Sequence, residues 1–370
     1  MWYNPYVYGL YKGVFMRVLM SAGGTGGHIY PALALADALK KEQHEIMFIG
    51  SKDRMEATLI PDAGYTYASI DVRGMNGNLI YKLNSARKLL MAERKCKKII
   101  KDFRPDIVIG FGNYISVPVI RSAHRLGIKT MLHEQNSYPG KANLLLARYA
   151  DAIVGCYEEN LDQFPKDKCK ILGNPRASLI KDVTKDKGFF KEFGLSEEVK
   201  SAVIMTGSLG SSSVNQVVEE TLPLLDDYQC VVATGKGNYE DFKFKDTDKI
   251  KVVPYIDGLK ATVNADLLVV RGGATTAAEV ASAGVASIII PSPYVPNNHQ
   301  YINAKAFEDA KACVLIEEKN LTAKLLSEEM NRLMNEDDLR SIMGENAKVL
   351  GKPNACTDMI DWMKELVKHE

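Results

Sequence analysis

A chain of 370 residues is long enough for two ordinary domains, and 46% hydrophobic with 25% charged residues is the composition of a folded globular protein. A net charge of +1 excludes a global field that would draw the chain to nucleic acid or to a membrane, so any such attraction is local. The six scattered cysteines include no C-x-x-C pair, which argues against a zinc site or disulfide framework and fits a reducing cytoplasm; no apolar run reaches the roughly 20 residues of a membrane span.

Residues 1–15 are aromatic and turn-rich, without the charged-then-apolar layout of a signal peptide. Met16-Arg17-Val18-Leu19-Met20 reads as a natural start, so residues 1–15 are set aside as an extension of unknown role. Arg17–Met20 predicts a short strand. It runs into Ser21-Ala22-Gly23-Gly24-Thr25-Gly26-Gly27-His28, then a helix with Pro31 in its first turn that continues to Leu39. Further strands are expected at Glu45–Ile49, Thr66–Ile70, Ile107–Ile109, Thr130–His133, Ala152–Val154 and Lys170–Leu172. Helical stretches separate them, so the series predicts a parallel sheet covered on both faces. A second series begins at Ala202–Thr206 and continues through Cys230–Ala233, Lys251–Val253, Leu267–Val270, Ala286–Ile290 and Cys313–Ile316.

Both series open with an apolar strand, a glycine-rich or serine-rich turn and a helix. The fold class is therefore α/β, with two tandem Rossmann-like doubly wound domains facing a cleft and ligands expected at the carboxyl ends of the strands. The turn-forming Gly173-Asn174-Pro175-Arg176 puts the boundary between residues 16–175 and 176–354. The last helix, within 355–370, is expected to pack back on the first domain.

The first glycine loop fails the dinucleotide fingerprint, because Ile29 stands where the third glycine belongs. This disfavours a nicotinamide-dependent oxidoreductase. Small residues before a histidine suggest a loop that moulds around a substrate and presents His28, although a histidine there also serves as a simple cap. Phe111–Ser116 and His133-Glu134-Gln135-Asn136 each follow an apolar strand at the presumed cleft edge. Asp246-Thr247-Asp248 matches D-x-D but lies among lysines, not after an apolar strand, which argues against a metal–nucleotide role.

In the second half, Leu267–Val270 ends at Gly272-Gly273. A small-residue helix follows from about Thr275 to Ala283, closed by Gly284. Such a turn aims free N–H groups and the positive end of the helix dipole at a phosphate. Glu279 then reaches a sugar hydroxyl, or it completes a capping box with Thr276. The amides and imidazole of Asn297–Asn303 suit sugar hydroxyls, or they start the next helix. Finally, Lys82–Lys101 carries eight basic side chains and one acid, Glu93, beside apolar Leu79, Ile80 and Leu83. A charged helix is usually a solvated face, but this combination also suits anionic lipid.

These motifs together resemble the MurG family, glycosyltransferases that add N-acetylglucosamine to the lipid-linked muramoyl-pentapeptide precursor of bacterial cell wall. The resemblance runs from Met16 to the C-terminus. Its most specific parts are G-G-T-G-G-H at Gly23–His28, G-F-G-x-Y-x-S-x-P at Gly110–Pro118, H-E-Q-N at His133–Asn136, G-N-P-R at Gly173–Arg176, and the run from Arg271 to Glu279. It implies the GT-B fold, an inverting transfer to a C4 hydroxyl, no metal or other cofactor, no nucleic acid, and work at the cytoplasmic face of the cell membrane as a peripheral protein. The implied donor site for UDP-N-acetylglucosamine comprises Thr25, Gly26, Asn136, Arg176, Ser208, the Ile256 backbone, Arg271, Ala274, Thr275, Glu279, Gln300 and Asn303. The acceptor diphosphate would sit at Gly23, Gly24, Thr25, Gly26 and Gly27. His28 is the implied general base, since an unperturbed imidazole is partly neutral near pH 7. Tyr114 and Asn136 stand beside it as catalytic positioning groups. Leu79, Ile80, Lys82, Leu83, Arg87 and Lys88 form the implied membrane patch. Two departures stand out: the family's glycine-serine-glutamine loop reads Gly207-Ser208-Leu209-Gly210 here, and its paired glutamines read His299-Gln300. Rival readings are a UDP-sugar 2-epimerase of the same fold, which needs no lipid patch, and a non-catalytic nucleotide-sugar binder.

Overall fold

The computed structural model describes residues 15–72, 79–207 and 210–368. Its first series is β1 (Arg17–Ser21), α1 (Gly26–Lys41), β2 (Glu45–Ser51), α2 (Glu56–Asp62), β3 (Thr66–Ile70), α3 (Leu79–Phe103), β4 (Ile107–Gly110), α4 (Ser116–Arg125), β5 (Lys129–His133), α5 (Lys141–Leu146), β6 (Ala152–Gly155), α6 (Asn160–Gln163) and β7 (Cys169–Ile171). After α7 (Arg176–Leu179) the second series is β8 (Ser201–Met205), α8 (Ser212–Thr221), β9 (Gln229–Ala233), β10 (Ile250–Val253), α9 (Gly258–Asn264), β11 (Leu267–Val270), α10 (Ala274–Ala283), β12 (Ala286–Ile289), α11 (His299–Asp309), β13 (Val314–Leu315), α12 (Ala323–Asn335), α13 (Asp337–Leu350) and α14 (Ala355–Lys368).

The strands form a sheet of order β3-β2-β1-β4-β5-β6-β7 and another of order β10-β9-β8-β11-β12-β13. The described pairings are parallel. In each sheet the order reverses at the first strand of its series: β1 lies between β2 and β4, and β8 lies between β9 and β11. Chains leaving β1 and β4 depart to opposite faces and open a crevice at their carboxyl ends, as do chains leaving β8 and β11. The glycine loops stand there.

The second sheet shows why its strands are apolar runs with no alternation. Val203, Leu268 and Val270 pack on one face with Ile256, Val280 and Phe307, while Ala202, Ile204, Leu267 and Val269 pack on the other with Val214, Leu326 and Met330. Successive side chains point to opposite faces, and both faces are covered.

The chain divides into two compact units. One holds the residues up to Glu134, Gly140–Val154 and Cys356 onward; the other holds Gln135–Pro139 and Gly155–Ala355. The chain thus enters the second unit ahead of the turn at residue 175. From Cys356 on, α14 belongs with the first unit, where Cys356 Sγ lies 3.8 Å from Ala34 O and Lys364 Nζ donates to Glu42 at 2.7 Å.

Among the described residues, five of the six cysteines are buried. Burial pushes the thiols of Cys96, Cys230 and Cys313 up to about 12, so these are packing groups and not nucleophiles. The D-x-D triplet is a turn: Asp246 Oδ1 accepts the Val252 N–H at 3.0 Å and Thr247 Oγ1 accepts the Ile250 N–H at 3.0 Å, which pins the start of β10.

Candidate functional site

In the first unit the loop after β1 is held from two sides. Asn113, in the loop after β4, donates from Nδ2 to Gly23 O at 3.1 Å. Asn113 occupies the space on the Cβ side of Gly24, whose φ of +88° also calls for glycine. From beneath, Glu56 Oε2 accepts the Gly24 N–H at 3.0 Å. Register explains why these loops meet: Ser21 pairs with Gly110 and its hydroxyl donates to Ser116 Oγ at 2.9 Å, so the two strands release their loops side by side.

Thr25 is the N-cap of α1, with Gly26, Gly27 and His28 in the first turn. The Thr25 hydroxyl does not cap the helix; it meets His28 Nδ1 at 2.9 Å. The Cδ2–Nε2 edge of the half-buried His28 ring lies beside Gly112, where an added Cβ would stand 3.2 and 3.3 Å from those atoms. Tyr114 is half-buried, and the Arg54 guanidinium lies 5.9 Å from its ring centroid. An open cavity of about 680 Å³ borders Gly24 and is lined by Lys52, Arg54 and Thr58 among others. The structure therefore brings Gly23–His28, Tyr114, Asn113, Arg54 and Glu56 together.

Glu56 and Arg54 carry no local sequence signal, since Ser51-Lys52-Asp53-Arg54-Met55-Glu56 reads as a polar loop. Asn113 carries a weak one: Gly-Asn after a strand marks a turn of positive φ, and its φ is +64°. Burial would raise the Glu56 carboxyl, but hydrogen bonds from Ser51 and the Gly24 backbone outweigh it and leave it below the usual carboxylate range.

His133 and Glu134 serve the scaffold. His133 is fully buried against Phe111 at 5.2 Å between ring centroids. Glu134 Oε2 accepts the Gly140 N–H at 3.0 Å and Asn143 Nδ2 at 2.9 Å.

In the second unit, Asn136 stands in the short 135–139 segment. Asn160 Nδ2 donates to Asn136 O at 3.1 Å, and Asn303 Nδ2 lies 3.4 Å from Asn136 Oδ1. Asn303 is fully buried; its Oδ1 accepts the Ser137 N–H at 3.1 Å, and its Nδ2 donates to Gly272 O at 3.2 Å. Its side chain thus ties the 135–139 segment to the Gly272 loop. Gln300 Oε1 accepts the Ser292 N–H at 2.8 Å. His299 Nδ1 meets Pro296 O at 2.8 Å, and burial lowers that imidazole below its ordinary range.

At the start of α10, Gly273 is the N-cap, so Thr276 sits inside the helix and the capping-box reading of Glu279 fails. Glu279 is instead an ion-pair partner. It is 5% exposed, and its Oε1 accepts Arg176 Nε at 2.7 Å and Nη2 at 2.6 Å. Burial raises the Glu279 carboxyl, and the Arg176 charge opposes that rise. Ala274 and Thr275 open the helix, and Thr275 Oγ1 has no hydrogen-bond partner among the described residues. A hydroxyl and first-turn N–H groups at one helix start suit a phosphate.

Arg271 braces the unit: its guanidinium pairs with Glu318 at 2.7 Å and donates to Ile290 O at 3.1 Å and Ser211 Oγ at 3.2 Å. The Ile256 side chain is in the core, so only its backbone remains for a ligand. Ser208 lies outside the described residues.

The side chains of Leu79, Ile80, Lys82 and Leu83 also lie outside the description, although the helix that bears them is described as α3. Further along it Arg87, Leu90, Met91, Arg94, Lys95 and Lys98 are exposed. Lys88 pairs with Asp71 at 2.7 Å, which weakens its case as a free membrane cation. Glu93, the only acid in the basic stretch, is buried and pairs with Arg121 of α4 at 3.2 Å, so it does not offset the charge of the outer face. No described helix is long and apolar enough to cross a membrane.

Comparison with known proteins matches residues 18–154 to the glycosyltransferase family 28 N-terminal domain and residues 201–359 to the family 28 C-terminal domain. A UDP-N-acetylglucosamine–N-acetylmuramyl-(pentapeptide) pyrophosphoryl-undecaprenol N-acetylglucosamine transferase from Limosilactobacillus fermentum is 39% identical, over 95% of this chain and 99% of the relative. The same-named protein of Finegoldia magna is 36% identical, over 96% and 99%. The crystal structure of Acinetobacter baumannii MurG superposes with a TM-score of 0.78 at 29% identity, over 94% of this chain and 99% of that one. A putative UDP-N-acetylglucosamine 2-epimerase from Listeria monocytogenes reaches a TM-score of 0.70 at 13% identity, over 96% and 98%, a likeness of fold alone.

Proposed function

The chain belongs to glycosyltransferase family 28, and from that premise we infer that it moves N-acetylglucosamine from UDP-N-acetylglucosamine to the C4 hydroxyl of a lipid-linked muramoyl-pentapeptide. The observation that carries this reading is likeness over nearly the whole chain, at 39% identity, to a protein named for that transfer. The site geometry supports it, with a histidine-bearing glycine loop in one unit and, in the other, a helix start whose free N–H groups and hydroxyl suit a phosphate.

The chemistry is a single displacement. The acceptor hydroxyl attacks the anomeric carbon, UDP departs, and a base removes the hydroxyl proton. His28 takes that proton. First-turn N–H groups and the Thr275 hydroxyl meet the negative charge that grows on the departing diphosphate. Donor recognition draws on the Ile256 backbone, the Arg176–Glu279 pair and Gln300. The direct test is transfer of radiolabelled N-acetylglucosamine from its UDP donor to the lipid-linked acceptor. Label in the lipid fraction is expected; epimerised donor without lipid product would move the assignment to the epimerase reading.

The acceptor is bilayer-anchored, so the enzyme works as a peripheral protein at the cytoplasmic face of the membrane. The start of α3 docks it, with Leu79, Ile80, Lys82, Leu83 and Arg87, and the exposed Leu90, Met91, Arg94 and Lys98 extend the face. Each cation near anionic lipid contributes about 1 kcal/mol, and each inserted apolar side chain adds on the order of 1 kcal/mol or more. Wild-type protein is expected to co-sediment with anionic vesicles, less so at high salt, while a Leu79→Ser, Ile80→Ser double variant stays in the supernatant. Equal pelleting of the two proteins, or equal binding to neutral vesicles, would remove this face from the assignment.

A further inference from the structure

The geometry points to Glu56 as the residue that positions the glycine loop for the acceptor's diphosphate, an assignment that rests on the acceptor reading above. Glu56 is fully buried. A carboxylate there is costly unless its oxygens are hydrogen-bonded. Both are: Oε2 accepts the Gly24 N–H at 3.0 Å and Oε1 accepts the Ser51 N–H at 3.1 Å. One side chain thereby joins the chains leaving β1 and β2, which are neighbours in the sheet. The glycines around it leave its room. A Cβ at Gly23 would stand 2.6 Å from Glu56 Cδ, and one at Gly50 would stand 2.8 Å from Glu56 Cγ. The first glycine of the loop therefore accommodates this carboxylate, a role distinct from touching a ligand.

The arrangement also sorts the loop's donors. The Gly24 N–H points inward to Glu56 and is not offered to a phosphate. The first-turn N–H groups of α1 at Gly26 and Gly27, which have no intrahelical acceptor, remain as donors. Glu56 beneath and Asn113 above fix the turn that sets their direction.

The sign of the effect separates positioning from plain electrostatics. A buried negative charge near a diphosphate site repels the ligand, so on charge alone Glu56→Gln would tighten acceptor binding. A glutamine, however, has one acceptor oxygen, and its NH2 group would face either the Gly24 or the Ser51 N–H, donor against donor. Positioning therefore predicts weaker acceptor binding.

The test measures KM separately for the lipid-linked acceptor and for UDP-N-acetylglucosamine, in wild type and in Glu56→Gln. Acceptor KM is expected to rise about tenfold, the scale of one lost hydrogen bond to a charged group, with donor KM unchanged. An unchanged or lower acceptor KM overturns the assignment. So does a parallel rise in both constants, which marks a general structural role. A wild-type enzyme that transfers no sugar would instead sink the functional reading itself. Should Glu56→Gln fail to fold, Glu56→Asp keeps the charge but draws the carboxylate away from the Gly24 and Ser51 N–H groups; it carries the same expectation, and a wild-type acceptor KM there overturns the assignment equally.

Discussion

Replacing His28 with alanine is expected to lower kcat by roughly 10²–10⁴-fold, the contribution of a positioned general base, with donor KM little changed. The Thr25 contact makes the expectation specific. A base must accept a proton at one ring nitrogen while the other carries its hydrogen. Nδ1 lies 2.9 Å from Thr25 Oγ1, so for His28 to act as the base Nδ1–H would donate to that oxygen and Nε2 would take the proton. Thr25→Val removes the oxygen and should cost a smaller part of kcat, while Thr25→Ser keeps it. Steady-state kinetics with saturating acceptor decide the matter. A loss in His28→Ala of only a few-fold would remove the base assignment and turn attention to Tyr114 and Asn136 as positioning groups.

Glu279→Ala is expected to act twice. Glu279 is buried, and one of its oxygens takes two hydrogen bonds from Arg176. Removing it takes away the carboxylate that accepts both bonds, a loss of roughly 3–5 kcal/mol for a well-buried pair. Arg176 keeps 20% of its side-chain exposure, so the lower end is the better figure. For a unit of this size about 3 kcal/mol corresponds to roughly 6–12 °C in Tm. Donor KM is also expected to rise roughly tenfold or more, from the lost acceptor of a sugar hydroxyl and the misplaced Arg176. Glu279→Gln keeps an acceptor oxygen and should retain more of both. Calorimetry beside donor kinetics separates the roles: a large fall in Tm with unaltered donor KM would leave Glu279 as the partner of Arg176 and nothing more.

The α/β alternation and most strand positions were legible from the residues alone. A parallel strand buried on both faces must be a short apolar run, and Leu267–Val270, buried throughout, is a strand at the predicted bounds; the edge strand Thr66–Ile70 also keeps its predicted bounds although only Ile70 is fully buried. The C-cap at Gly284 was legible too, because a left-handed residue closing a helix is most readily glycine, and its φ is +67°. The glycine loops after β1 and β11 were legible as strand-to-helix turns, because small residues between an apolar strand and a helix mark such a turn.

The remaining features depend on residues distant in sequence. Thr276 and Glu279 have the spacing of a capping box, but the helix starts earlier, and Arg176 lies 103 residues from its partner. Glu93 is one acid in a basic stretch by sequence, and only α4, which sets Arg121 against it, shows that it is buried and paired. The buried hydrogen bond from Ser137 N–H to the Asn303 amide oxygen joins residues 166 positions apart, which no local pattern announces. Glu56 gave no sign at all, since its site exists only where the ends of β1 and β2 lie side by side with glycines at 23 and 50. Periodicity and propensity are local quantities. A buried charge is placed by whichever distant donors can hydrogen-bond it, and those come together only when the sheet closes.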